Sequence, residues 1–265
     1  MIDNQQEDLS DGHSAPANLD APDVETATPL TWEDDETPAT LFLRALFALL
    51  AGSLLVWAQV HAPINPGLEW NRWVWLSVVA NFLLPLGIVW MFFGQGLLHQ
   101  EWMRDQRVNA WSYGWNFRAW RRHLKWSLAM FAPMLIVMLV FGLGTTAGVE
   151  ARVFYRSVYL PPVPDVRTFL WLAGSLVLYL FCWEWFFRGF LLFGMAQGFG
   201  PVMAAILQAI IFGLAHYGKP PAEMYSAFAG GLILGAVAWR ERSFAPAFYT
   251  HALVHVAWLG LVLLK

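Results

Sequence analysis

One cysteine, Cys182, stands in 265 residues, so the chain can close no internal disulfide and its redox compartment cannot be read. Charge is scarce as well: 13% of residues are Asp, Glu, Lys or Arg, where a soluble domain carries about 25%. With 58% hydrophobic residues and a mean hydropathy of +0.47, that scarcity excludes an ordinary soluble domain and predicts an integral membrane protein. Lys and Arg are missing altogether from residues 1–40, which hold eleven acidic side chains. A stretch rich in Asp, Glu, Pro, Ala and Thr cannot bury enough apolar surface to offset chain entropy, so 1–40 is read as a disordered acidic tail. It lacks the basic n-region and apolar h-region of a signal peptide. The rest of the chain keeps eight acids against all sixteen Lys and Arg, so the membrane body is basic.

What is abundant is apolar sequence in long runs. Seven hydrophobic segments fall at roughly 41–60, 72–94, 126–147, 166–195, 200–216, 222–239 and 245–264. A helical span needs about 20 residues, so the fifth and sixth are short, and the fourth is long enough to project from the bilayer or turn within it. The fold expected is an all-α, polytopic transmembrane helix bundle of about seven to eight hydrophobic helices. It divides into the tail, a set of N-terminal spans over 41–165, and a C-terminal core over 166–265.

The loop between the second and third spans, about 96–125, carries Arg104, Arg107, Arg118, Arg121, Arg122 and Lys125. Placing it in the cytoplasm puts the N-terminus there too. The same loop holds Trp102, Trp111, Tyr113, Trp115 and Trp120, with Trp126 just beyond. Aromatic rings favour the headgroup level and Arg clusters attract anionic lipid, so an interfacial segment is expected. Basic–aromatic interleaving also occurs in nucleic-acid binders, but between spans lipid is the simpler partner and no nucleic acid is expected. Ala227, Gly231 and Gly235 form a small-residue stripe that reads as helix packing.

Against this apolar background five ionisable side chains stand out: Glu184 and Arg188 in the fourth segment, His216 closing the fifth, and His251 and His255 in the last. A charge at mid-bilayer costs roughly 2.5–3.5 kcal/mol on insertion scales, so such groups are expected to meet in one buried polar site. Glu184 and Arg188 are four apart and share a helical face, as do His251 and His255. At about 1.5 Å per residue, Glu184 lies some 16 Å before the turn near 195–200 and His216 about 24 Å beyond it. The pair Glu184–Arg188 alone could be structural; three histidines in company change that reading. Cys182, two residues before Glu184, reads as a packing residue.

The runs EWFFRGFLL (184–192), FGLAH (212–216) and HALVH (251–255) resemble the CAAX-protease and bacteriocin-processing family (CPBP, or Abi) of glutamate-type intramembrane proteases. Its pattern is EExxxR, then FxxxH, then HxxxN or a close variant, each on its own helix. The resemblance covers roughly 166–264. It implies an endopeptidase acting on a membrane-anchored or hydrophobic peptide, without a metal or other cofactor. It also implies catalytic roles for Glu184, Arg188, His216, His251 and His255. Glu184 and His216 would activate a water, His251 and His255 would donate to the oxyanion, and Arg188 would hold Glu184 or polarise the cavity. One position departs from the pattern: Trp183 stands where the first glutamate belongs. Since that glutamate usually serves the water, Glu184 takes over after a local shift of helix register or the chain is not proteolytic.

Two other readings remain. Three histidines and a glutamate match zinc ligation, though HExxH is absent because Ala252 follows His251. Trp183 also fits a non-catalytic scaffold or chaperone built on the protease fold. A transporter is weakest, since no inverted repeat is visible. The composition fits a multi-pass protein of a prokaryotic plasma or inner membrane.

Overall fold

The computed structural model describes residues 37–61, 70–93, 113–159 and 165–263; the acidic stretch 1–36, together with Trp102, Arg104, Arg107 and Trp111 of the basic loop, lies outside them. The described residues form helices and short connections, with no strand among them. Helix α1 is Pro38–His61, α2 runs over residues 70–93, and α3 is Trp120–Gly144. Helix α4 is Thr146–Tyr159, α5 is Val166–Phe199, and α6 is Pro201–Leu214. Pro221–Glu241 and Ala245–Leu263 form α7 and α8.

Six of these, all but α4 and α6, are long and apolar enough to cross a membrane, and the chain is a multi-pass membrane protein. Their outer faces present Leu43, Leu54, Ile136, Val140 and Ile233, as expected of helices solvated by lipid. Helix α5 is the axis of the bundle. Its spanning window is 78% buried, against 17–33% for the other five. Asp165 caps it, accepting the Thr168 N–H at 2.7 Å, and that bond holds the exposed carboxyl below the usual carboxylate range. Gly200, at φ 76°, ends it, and Pro201 opens α6 in the returning direction.

Three expectations need revision. The fourth hydrophobic segment does not change direction but continues as one 34-residue helix, widening to π-type bonding over Trp185–Leu191. The sixth segment is not short, since α7 has 21 residues. Helix α4 was not expected at all. Glu150, Arg152 and Arg156 lower its hydropathy, yet Ala151 and Tyr155, four apart, are buried on one face. The fifth segment is short as expected, 14 residues.

The small-residue stripe packs as read. Ala227, Gly231 and Gly235 are buried, and a Cβ on Gly231 would sit 2.9 Å from the Ala209 Cα of α6. Gln208 of α6 donates to the Gly231 carbonyl at 2.7 Å, tying the two helices together. Between α1 and α2 a buried amide pair does similar work: Gln59 Nε2 donates to Asn81 Oδ1 at 2.9 Å, and Asn81 Nδ2 returns to Gln59 Oε1 at 3.1 Å. At the opposite ends of α3 and α7, Glu241 accepts from Arg122 at 2.5 Å and from Trp126 Nε1 at 2.9 Å.

Tyr113 and Trp115, grouped in sequence with the interfacial aromatics, pack inward. The Trp115 ring lies 5.3 Å from Trp185 and 5.6 Å from Phe244, edge to face, and Tyr113 is buried. Trp120, by contrast, is exposed, with the Arg121 guanidinium 5.4 Å above its ring.

Candidate active site

Glu184 ends the regular first part of α5, and the π-type stretch begins at the next residue. A π segment adds a residue to the turn, and such stretches are frequent at functional sites. Here it follows Glu184 and carries Arg188, and it does not bring Glu184 into contact with His216. Gly189 lies within the π stretch, and a Cβ there would fall 3.1 Å from the Tyr113 carbonyl oxygen, so a second backbone does approach this turn.

Glu184 and Arg188 are fully buried. Arg188 Nη1 donates to Glu184 Oε1 at 2.9 Å, and His251 Nδ1 on α8 donates to the same oxygen at 2.5 Å. The other oxygen, Oε2, has no hydrogen-bond partner among the described residues, nor do Arg188 Nε and Nη2. Buried charges of this kind persist only where paired, and here both the ion pair and a ring compensate them. The Phe212 ring lies 4.0 Å from the guanidinium carbon, a close cation–π contact.

Phe212 is the hub of the cluster. Its ring centroid lies 4.7 Å from that of His216, 6.0 Å from His251, 5.0 Å from Phe187 and 6.2 Å from Trp183. Its carbonyl takes the His216 Nδ1–H at 2.7 Å, which leaves Nε2 with its lone pair. His255 donates Nδ1–H to the His251 carbonyl at 3.2 Å, and the two imidazoles meet edge to face at 4.4 Å. Three of the five expected residues, Arg188, His216 and His251, therefore contact Phe212; Glu184 joins through Arg188 and His251, and His255 through His251. Glu184 and His216 do not pair with one another. Arg188 and His251 are the polar partners of Glu184, whereas His216 has the Phe212 carbonyl and, across 3.9 Å, Glu223.

Trp183, at the first-glutamate position, is 94% buried, with the His216 ring 6.0 Å away, edge to face, and Tyr179 stacked on it at 5.6 Å. It gives His216 an apolar neighbour where the motif would give it a carboxylate.

Glu223, in the first turn of α7, escaped the reading of the sequence. Lys219 Nζ donates to its Oε1 at 3.0 Å, and the Tyr155 hydroxyl of α4 donates to its Oε2. Its sequence context, KPPAE, reads as a solvated helix start with an acid near the N-terminus. Among the described residues, no group of three or more His, Cys, Asp and Glu is placed to hold a metal ion.

No curated protein and no solved structure matches the chain. Residues 165–257 do match a family described as Rce1-like, the type II CAAX prenyl endopeptidases, which spans α5 to most of α8 and so every member of the cluster except Tyr155. That match makes the C-terminal core similar to the Rce1-like type II CAAX prenyl endopeptidases, and it is consistent with the resemblance to the CAAX-protease and bacteriocin-processing family carried by the three motifs.

Proposed function

We propose that the chain is a glutamate-type intramembrane endopeptidase that hydrolyses a peptide bond in a membrane-anchored or hydrophobic substrate with an activated water. The observation that carries this reading is that four motif residues meet inside the bundle, Arg188, His216 and His251 on the Phe212 ring and Glu184 through its bonds to Arg188 and His251. The proposed setting is a prokaryotic plasma or inner membrane, with the N-terminus in the cytoplasm and anionic lipid at the basic, Trp-rich loop.

In this mechanism His216 Nε2 takes the proton, because Nδ1 is committed to the Phe212 carbonyl. The water oxygen attacks the peptide carbonyl, and negative charge gathers on its oxygen. His251, as the imidazolium paired with Glu184, donates to that oxyanion from Nε2, with the His255 ring packed edge to face against it. Such a donor is worth about 2.7–4 kcal/mol in other acyl-transfer sites. Glu184 keeps His251 oriented through Oε1, and Arg188 balances its charge. This gives Glu184 a charge-holding role rather than the water-binding one the motif implies. On collapse the C–N bond breaks, and the proton on His216 passes to the leaving amine.

The test compares protein termini by mass spectrometry in membranes from wild type, a deletion, and the deletion complemented with Glu184→Ala or His216→Ala. Termini present in wild type and missing from the other three are the expected result. A non-catalytic scaffold is the second reading, favoured by Trp183 against His216. It predicts that His216→Ala restores the wild-type termini and phenotype.

A further inference from the structure

His216 needs a partner across the water, and Glu184 is not in contact with it. A lone neutral imidazole can accept a proton but cannot also fix the second hydrogen of a water. The carboxylate that does face His216 comes from another helix. Glu223 Oε1 lies 3.9 Å from His216 Nε2, too far for a direct hydrogen bond. A water donating both hydrogens at about 2.8 Å spans about 4.4 Å, so a water fits between the two atoms once they part by about half an ångström. Each group has its own anchor. His216 is held through Nδ1 by the Phe212 carbonyl, and Glu223 by Tyr155 on one oxygen and Lys219 on the other. The Trp183 ring stands beside His216 and Lys219, 6.0 Å from the His216 ring and 6.0 Å from Lys219 Nζ.

We infer that Glu223 supplies the carboxylate missing at position 183, so that the attacking water is bound between Glu223 Oε1 and His216 Nε2. The inference rests on the endopeptidase reading and names the second group at its water. Lys219 already shares Oε1, which makes the carboxylate the weaker base of the two. The proton therefore goes to His216, while Glu223 holds the other hydrogen and balances the imidazolium that forms. One O–H bond of water breaks, a C–O bond forms at the peptide carbonyl, and the proton leaves His216 for the amine when the C–N bond breaks. Glu223 is unchanged at the end. Trp183 then closes off the position the motif glutamate would occupy, and α7 delivers the acid from the other side of the histidine.

The experiment uses full-length protein in cell membranes, with His216-dependent termini as the readout. Strains carry wild type, His216→Ala, Glu223→Gln, or Glu223→Gln with Trp183→Glu, and folded protein is quantified for each by thermal melting in detergent. Glu223→Gln is expected to lose these termini at least ten-fold at unchanged protein level and melting temperature. Adding Trp183→Glu returns a carboxylate to His216 from the motif position and is expected to restore them. Retained termini in Glu223→Gln overturn the inference while leaving the endopeptidase reading intact. Loss that tracks loss of folded protein also overturns it, and assigns Glu223 to tethering α4 through Tyr155. Wild type and His216→Ala giving the same termini would sink both readings together.

Discussion

Glu184 and His251, 67 positions apart, meet through a 2.5 Å hydrogen bond on the same carboxylate oxygen that takes the Arg188 guanidinium. The contact joins α5 to α8 and ties two of the three motifs into one charged unit. It also explains why Arg188 is tolerated in the centre of the bundle: the fully buried guanidinium has an anion on one side and the Phe212 ring on another.

Such a unit is more costly to halve than to remove. Arg188→Met leaves the Glu184 carboxylate buried with only His251 beside it, and a broken buried pair costs about 3–5 kcal/mol. Glu184→Gln/Arg188→Met removes both charges and is expected to recover a large part of that loss. Thermal unfolding in detergent measures both. A double variant less stable than Arg188→Met would show that the pair is not what holds these helices.

The spans were legible because an apolar run of about 20 residues has few other uses, and the five motif residues were legible as ionisable groups in such runs. The remaining features lacked local signals. WFFRGFL gives no sign that its hydrogen bonding widens to π, since that depends on how α5 packs against its neighbours. Trp115 could not be told from a lipid-facing Trp by composition, because both are aromatic residues in a basic loop. Glu223 was hidden for a different reason. Its partner Tyr155 lies 68 positions away on α4, an amphipathic helix whose charges conceal it from any search for apolar runs. Lys219 and Glu223 are also four apart, the spacing of an ordinary surface ion pair on a helix.

Contact between α6 and α7 depends on the absence of a side chain at Gly231. Its missing Cβ would meet Ala209 backbone at 2.9 Å, and backbone cannot swing aside as a flexible side chain can. Gly231→Val is expected to destabilise the protein by about 1–3 kcal/mol, the usual cost of overpacking. It should also displace α7 and with it Glu223, reducing cleavage beyond what the melting temperature alone accounts for. An unchanged melting temperature would mean that the helices separate without cost.

A similar accounting applies to Gln59 and Asn81, which exchange two hydrogen bonds between α1 and α2. Asn81→Leu leaves the buried Gln59 Oε1 without its donor, while Nε2 keeps the Leu55 carbonyl, and is expected to cost about 1–3 kcal/mol. Gln59→Leu/Asn81→Leu removes both amides and should fall close to wild type. The pair lies on helices outside the family match, so cleavage per folded molecule is expected to stay constant in both variants.

Chelation separates water activated by side chains from water activated by zinc. Zinc in a protein site takes nitrogen and oxygen ligands at about 2.0–2.2 Å from directions that converge on one point. The ring nitrogens here are committed elsewhere: His251 Nδ1 to Glu184, His216 Nδ1 to the Phe212 carbonyl, His255 Nδ1 to the His251 carbonyl. Gathering the remaining Nε2 atoms around a metal would require His216 to leave Glu223 and approach His251. The expected outcome is that 1,10-phenanthroline leaves the His216-dependent termini unchanged and that elemental analysis finds less than one zinc per chain. Loss of the termini with chelator, reversed by added zinc, would replace the carboxylate–histidine water with a metal-bound one. Glu223 would then be either a ligand or its hydrogen-bond partner, and Glu223→Gln would lower zinc content along with cleavage. With no metal involved, Glu223→Gln lowers cleavage alone.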